Sequence, residues 1–318
     1  MDADLVLEGG GAKGVALAGA AAELHDAGYR FQRIAGTSVG AIVGALLAAG
    51  MPPAELEAMA RRLDLIAIAP LSRWSRFGRW GRKAAVLFER GIYDHAPLRR
   101  WLTRELARFG VRTFGDLRID DRDADFAPGR NYRLVVTAAD ITRGRPVRLP
   151  WDAAQYGLDP DALTVADAVA ASAALPLAFE SVRLPTPSGD DAVLVDGGLL
   201  SRFPIDVFDR TDGRSARWPT VGLKLSALPS DDGFVVRHRI TGPLSYLQAL
   251  LGTAVASWDV RHLDDPAIVD RTVFVDTSDV STLDFSLPQE LREDLVDRGR
   301  AAARDWLAAD PARRPTGR

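Results

Sequence analysis

Two short stretches near the N-terminus carry residue types and spacings that could do chemistry. The first, Leu5 to Gly14 (LVLEGGGAKG), is an apolar run that breaks into three consecutive glycines; the second, Gly36-Thr37-Ser38-Val39-Gly40, sets a serine between two glycines. Gly9-x-Gly11-x-x-Gly14 fits the fingerprint of a dinucleotide-binding turn, where glycines let the backbone approach a pyrophosphate. That reading also asks for an acidic residue at the end of the second strand to hold the ribose, and here the second strand, Arg33-Ala35, runs into GTSVG. GTSVG instead suits a nucleophile elbow, a serine on a strained strand-to-helix turn. The two stretches together give the glycine loop a different task. When a serine attacks an ester carbonyl, negative charge develops on oxygen, and each preorganised N–H aimed at it is worth about 3 kcal/mol. The loop residues Gly9, Gly10, Gly11 and Ala12 are the expected donors.

The elements that must position these residues are readable around them. Leu5-Leu7 is a short buried strand stopped by glycine, and Gly14-Asp26 is an alanine-rich helix closed by Gly28. Strand signals recur at Arg33-Ala35, Arg133-Ala138, Val193-Val195, Thr220-Leu225 and Thr272-Val275, with helical stretches between most of them. That alternation predicts an α/β fold with a mainly parallel sheet covered on both faces. Ile34 to Ala54 carries no charged residue and imitates a membrane span, but its glycines, prolines and GTSVG turn predict a buried strand, a sharp turn and a buried helix.

Composition narrows the classes. A chain of 318 residues with 47% apolar and 26% charged residues buries a large core, which excludes a disordered protein. A net charge of -3 argues against nucleic-acid binding by bulk electrostatics. With no cysteine there is no disulfide, thiolate metal site or cysteine nucleophile. The start lacks the basic region and cleavage site of a secretory signal, so a cytoplasmic protein is expected. Asp120-Asp125 (DDRDAD) does not hold calcium, because Phe126 and Tyr132 fall where the loop needs glycine and glutamate; no metal is expected.

With these motifs in place, the sequence resembles the patatin-like phospholipase family of serine lipid acyl hydrolases. EGGGAKG resembles the family's oxyanion loop, with Lys13 at its customary basic position and Gly14 behind it. GTSVG, with Gly36 and Gly40 flanking the serine, resembles its elbow, and Asp196-Gly197-Gly198 resembles its catalytic aspartate motif. GIYDHAPLRRWL from Gly91, TFGDL from Thr113, ASAALP from Ala171 and DGGLLSRFPI from Asp196 resemble family blocks in the expected order, over roughly Leu5 to Leu225. Glu8, where aspartate is common, and Phe203, where asparagine is frequent, depart from the pattern.

The resemblance implies a three-layer α/β/α domain that cleaves acyl esters of phospholipids, lysophospholipids or neutral lipids, with Ser38 as nucleophile, Asp196 as general base, and neither cofactor nor metal. On spacing alone, Asp196 reads only as a turn after Val193-Val195. Two rivals remain open: an α/β-hydrolase triad that recruits a histidine (His238 or His262 follow Asp196; His25 and His95 precede it) and a nucleotide-binding protein using the GxGxxG turn.

One domain is expected over 1–307, with a tail from Ala308 to Arg318 that frays. Inside it, Arg61 to Arg90 carries seven arginines, Lys83, Trp74, Phe77 and Trp80. That segment has three readings: a membrane-interfacial element with aromatics toward the lipid boundary, a cap over the site, or a partner surface.

Overall fold

The computed structural model describes residues 1–63, 94–120, 126–176, 178–187, 189–210, 212–226, 246, 265–282 and 284–313. In chain order these form strands β1 (Asp2–Leu7), β2 (Arg30–Thr37), β3 (Leu134–Asp140), β4 (Arg145–Leu149), β5 (Val182–Pro185), β6 (Asp191–Asp196), β7 (Thr220–Lys224) and β8 (Thr272–Phe274). The helices are α1 (Val15–Asp26), α2 (Val39–Ala48), α3 (Pro53–Arg62), α4 (Ala96–Ala107), α5 (Val165–Ser172), α6 (Pro266–Asp270) and α7 (Gln289–Ala309).

Every strand anticipated from an apolar run forms, and the strands build one sheet in which bonded neighbours run β5-β6-β3-β2-β1-β7-β8, with β4 on the edge of β3 opposite β2 and β6. The central pairings β3-β2, β2-β1, β1-β7 and β7-β8 are parallel; β4, β6 and β5 join antiparallel at the β3 end. Strands buried on both faces need apolar residues at consecutive positions, which is why β1 reads Leu-Val-Leu without alternation.

The two faces are covered unequally. Leu5, Leu7, Ile34, Leu134 and Val136 point to the face packed by α1, α2, α5 and α7, while the intervening Val6, Ala35 and Val135 point to the other. On that second face the described cover is a segment of successive turns, Phe203, Ile205, Val207 and Phe208, with Ile268 of α6. On the helical face α1 and α7 touch backbone to backbone: a Cβ at either Gly19 or Gly299 would collide with a carbonyl of the opposite helix, Val296 O or Ala16 O. Only glycine permits that approach. Arg300 of α7 then pairs with Glu23 and Asp26 of α1 and Glu57 of α3 at 2.6 to 3.0 Å.

The tail expected to fray from Ala308 is structured as far as Arg313. There α7 continues to Ala309, Arg313 pairs with Asp270, and the Tyr29 hydroxyl donates to Arg313 O at 2.6 Å. Arg61 belongs to α3 and pairs with Glu57 and Asp297. The rest of the basic segment from 64 onward, with Trp74, Phe77 and Trp80, lies outside the described residues. Ile34 to Ala54 folds as β2, turn, α2 and the start of α3, and among the described residues no helix is long and apolar enough to cross a membrane.

Candidate active site

The sheet brings Ser38 and Asp196 together along one edge of β3. β4 bonds one edge of β3 over Val136 to Asp140, so β2 and β6 must share the other. β2 runs parallel up that edge and stops where Thr37 meets Thr137; β6 runs antiparallel down it and stops where Asp196 meets Ala138. The C-terminal ends of two opposed strands therefore abut at consecutive residues of a third. Ser38 is the next residue after β2.

The elbow is strained, as its motif predicts. Ser38 has φ 54° and ψ -122°, the one non-glycine residue at positive φ among those described. Such a conformation costs about 1–3 kcal/mol and persists only where the surroundings enforce it. The enforcement is crowding: a Cβ on Gly36 would strike the Gly40 carbonyl, and one on Gly40 would stand 2.5 Å from Leu7 O and 2.7 Å from Glu8 O. Ser172, at the end of α5, fixes the turn further. Its Oγ accepts the Ser38 N–H at 2.8 Å and donates to Thr137 O at 2.6 Å. The Thr37 and Thr137 hydroxyls bond to each other beneath it.

Asp196 is 3% exposed, and its carboxyl is pushed up to about 6. Burial is the dominant cause; hydrogen bonds from the Ser38 side chain and the Gly198 N–H, and the charge of Arg202, pull it back. The Gly198 N–H donates to Oδ1 at 2.7 Å, and Asp196 N–H donates to Ala174 O at 2.8 Å. Gly197 leaves no room for a side chain against Thr137 O, which keeps the turn flush with β3.

Of the four expected oxyanion donors, two are committed elsewhere. Gly9 N–H donates to Arg202 O and Ala12 N–H to Thr282 O, each at 3.0 Å. The N–H groups of Gly10 and Gly11 have no acceptor among the described residues, and Gly11 takes φ 55°, with Thr282 O where a Cβ would stand. Lys13 reaches Thr277 O at 3.4 Å; burial, then Arg202, holds its ammonium below the ordinary value.

Beneath the loop lies a charge cluster that sequence reasoning missed. Glu8, 1% exposed, accepts from Lys224 Nζ at 2.8 Å and from Leu225 N–H. Burial would raise its carboxyl, but Lys224 and Arg202, with those two hydrogen bonds, hold it below the ordinary value. Lys224 also stands 5.2 Å from the Phe203 ring centroid. The two departures from the family pattern, Glu8 and Phe203, thus meet on one lysine. Arg202 completes the cluster: its Nε donates to Gly9 O at 2.7 Å and stands 3.5 Å from Glu8.

Neither His25 nor His95 is brought to Asp196. His25 lies in the last turn of α1, and His95 packs on Phe179 with its Nε2 2.9 Å from Glu180 O. Burial holds His95 below its ordinary value. His238 and His262 lie outside the described residues. No cluster of metal-ligating side chains occurs among the described residues.

The family profile of patatin-like phospholipases matches residues 5–209. The uncharacterized protein YqhO of Bacillus subtilis is 33% identical over 301 residues, spanning 93% of this chain and 95% of its own. An NTE family protein of Mycobacterium tuberculosis is 28% identical over 96% of this chain, which covers 46% of that longer protein. Among solved structures, VipD from Legionella pneumophila superposes over 96% of this chain and 67% of its own at TM-score 0.54 and 17% identity, a likeness of fold.

Proposed function

Because the chain belongs to the patatin-like phospholipase family, we propose that it hydrolyses carboxylic ester bonds of lipids through Ser38 and Asp196, with Gly10 and Gly11 as oxyanion donors. The observation that carries this reading is the meeting of Ser38, on its positive-φ turn at the end of β2, with the buried carboxylate at the end of β6, raised to about 6 by burial and held down in part by the Ser38 side chain. Such a group is ionised at neutral pH yet basic enough to take a proton.

In the first half-reaction the Ser38 oxygen attacks the acyl carbonyl while Asp196 accepts its proton. Charge gathers on the carbonyl oxygen, where the N–H groups of Gly10 and Gly11 meet it. The tetrahedral intermediate collapses to an acyl-serine, and protonated Asp196 delivers its proton to the leaving alkoxide. Water then attacks the acyl-serine, Asp196 again takes the proton, and Ser38 is released with it. The substrate class is phospholipid, lysophospholipid or neutral lipid. Contact of the 61–90 segment with a bilayer belongs to the same proposal: replacing Trp74, Phe77 and Trp80 with serine weakens sedimentation with anionic liposomes and spares a short soluble ester, and unchanged sedimentation removes it.

The deciding experiment is a rate measurement with one soluble ester, accompanied by labelling with a fluorophosphonate. Ser38→Ala and Asp196→Asn lose turnover, and Ser38→Ala also loses the label. His25→Ala, His95→Ala, His238→Ala and His262→Ala keep most of their activity. Collapse in His238→Ala or His262→Ala replaces the dyad with an α/β-hydrolase triad. A melting temperature raised by NAD, with no labelling, returns the glycine loop to nucleotide binding.

A further inference from the structure

We propose that Arg202 is a positioning residue that holds the glycine loop and the Asp196 carboxylate in register, one cation serving both halves of the site. The proposal rests on the Ser38 and Asp196 reading above. Arg202 follows Asp196 by six residues, past the single 3-10 turn Gly197–Leu199, so its backbone is carried by the same loop that shapes the carboxylate. From there it grips the glycine loop twice. Its Nε donates to Gly9 O at 2.7 Å, and its carbonyl accepts the Gly9 N–H at 3.0 Å. The two hydrogen bonds fall on the peptide units either side of Gly9, so they fix the peptide that carries the Gly10 N–H and the one before it.

The charge has its own role. Glu8 lies 3.5 Å from this guanidinium, whose side chain is 26% exposed, and the same charge pulls the buried Asp196 carboxyl down without touching it. Glu8 has a second cation, Lys224, at 2.8 Å, whereas Arg202 is the charged group acting on Asp196 among the described residues. The other groups that face Asp196 are the Ser38 side chain and the Gly198 N–H; Lys13 and Lys224 act on Glu8 instead. Removing the arginine charge therefore raises the Asp196 carboxyl further, while Glu8 keeps its lysine. Removing the lysine charge disturbs Glu8 and leaves Asp196 untouched.

The experiment measures kcat, KM and the pH profile of kcat/KM on a soluble ester for full-length Arg202→Gln, Arg202→Met, Arg202→Lys and Lys224→Met, with melting temperatures and Ser38→Ala alongside. In Arg202→Gln and Arg202→Met, kcat falls by roughly a hundredfold, the order expected for a misplaced site, KM changes less than kcat, and the acid limb moves to higher pH. Arg202→Lys returns the limb toward wild type because the charge is restored. Lys224→Met slows turnover with the limb unmoved. An acid limb that stays in place in both neutral variants, or moves equally in Lys224→Met, overturns the proposal. So does a kcat loss that merely follows the melting temperature across all four. If Ser38→Ala keeps wild-type turnover, the dyad reading falls and takes this proposal with it, an outcome distinct from a dead Ser38→Ala beside an unmoved limb.

Discussion

Ser172 Oγ links Ser38 to β3: it accepts the Ser38 N–H at 2.8 Å while donating to Thr137 O at 2.6 Å. One hydroxyl thus satisfies a backbone donor of the strained elbow and a carbonyl of the strand it rests on. Ser172 is fully buried, so Ser172→Ala strands both groups away from water, which costs about 1–3 kcal/mol each in an apolar setting. The expected outcome is a melting temperature lower by several degrees and a lower kcat with KM little changed. Ser172→Cys, which can still donate weakly, loses less. Thermal unfolding and ester kinetics on the two variants check this.

On the proposed dyad, the raised carboxyl of Asp196 sets stability against activity. A carboxyl whose folded value is near 6 against 3.8 in the open chain binds more protons folded than unfolded between those two values. Its stabilising contribution is complete below about pH 4 and is lost as pH rises through 6, a difference of about 3 kcal/mol as an upper bound. Asp196→Asn removes the ionisation but keeps an acceptor for Gly198 N–H. It is therefore expected to melt higher than wild type at pH 7 to 8 and to lose that advantage near pH 4. On the proposed dyad, wild-type kcat/KM is expected to fall as pH drops through about 6, because Asp196 must be ionised to take the proton. Calorimetry and rates across pH 4 to 8 test both signs.

Gly10 and Gly11 separate by the neighbour a methyl group would meet. At Gly10 the obstacle is the Leu225 side chain, which can yield; at Gly11 it is the Thr282 carbonyl, and the backbone is at φ 55° as well. Gly11→Ala is expected to lose roughly a hundredfold or more in kcat, the order of one lost oxyanion donor, and Gly10→Ala less. Equal losses, or losses confined to KM, contradict the assignment.

Glu8 and Lys224 are each 2% exposed at the side chain, so removing either one leaves a buried charge. Glu8→Gln and Lys224→Met are each expected to cost about 3–5 kcal/mol. The double variant recovers part of that loss, since neither Glu8 nor Lys224 then stays charged in the absence of the other. A denaturant-unfolding cycle measures the coupling, and additive losses exclude it.

What the sequence made legible was whatever is local. Leu5-Leu7, the glycine run and the GTSVG turn follow one another within forty residues, and each element announces itself by an apolar run stopped by glycine. The partners of the glycine loop were illegible because they come from far away in the chain. Leu225 packs on Gly10, Thr282 takes the Ala12 N–H, and Thr277 meets Lys13, yet nothing in the type or spacing of those residues marks them. Glu8 read as a mild deviation because its meaning depends on Lys224, 216 positions later. The antiparallel entry of β6, which turns Asp196 toward Ser38, is likewise a matter of topology: Val193-Val195 signals a strand but not its direction.

The place of β7 in the sheet has a consequence for the order in which the chain can be made. β1 bonds β2 on one edge and β7 on the other, pairing Asp4 with Thr220 and Leu7 with Leu223. During synthesis the first strand therefore keeps one bare, apolar hydrogen-bonding edge for more than two hundred residues. That is the kind of edge that invites a wrong partner. The elbow and the aspartate turn can both have left the ribosome while the glycine loop still lacks Leu225 and Thr282 to set it. A nascent chain halted at residue 209, the end of the family match, would carry Ser38 and Asp196 but no settled loop between them. The proposed site is thus completed late, with the last third of the polypeptide, and the long wait of β1 is the interval in which a chaperone has something to protect.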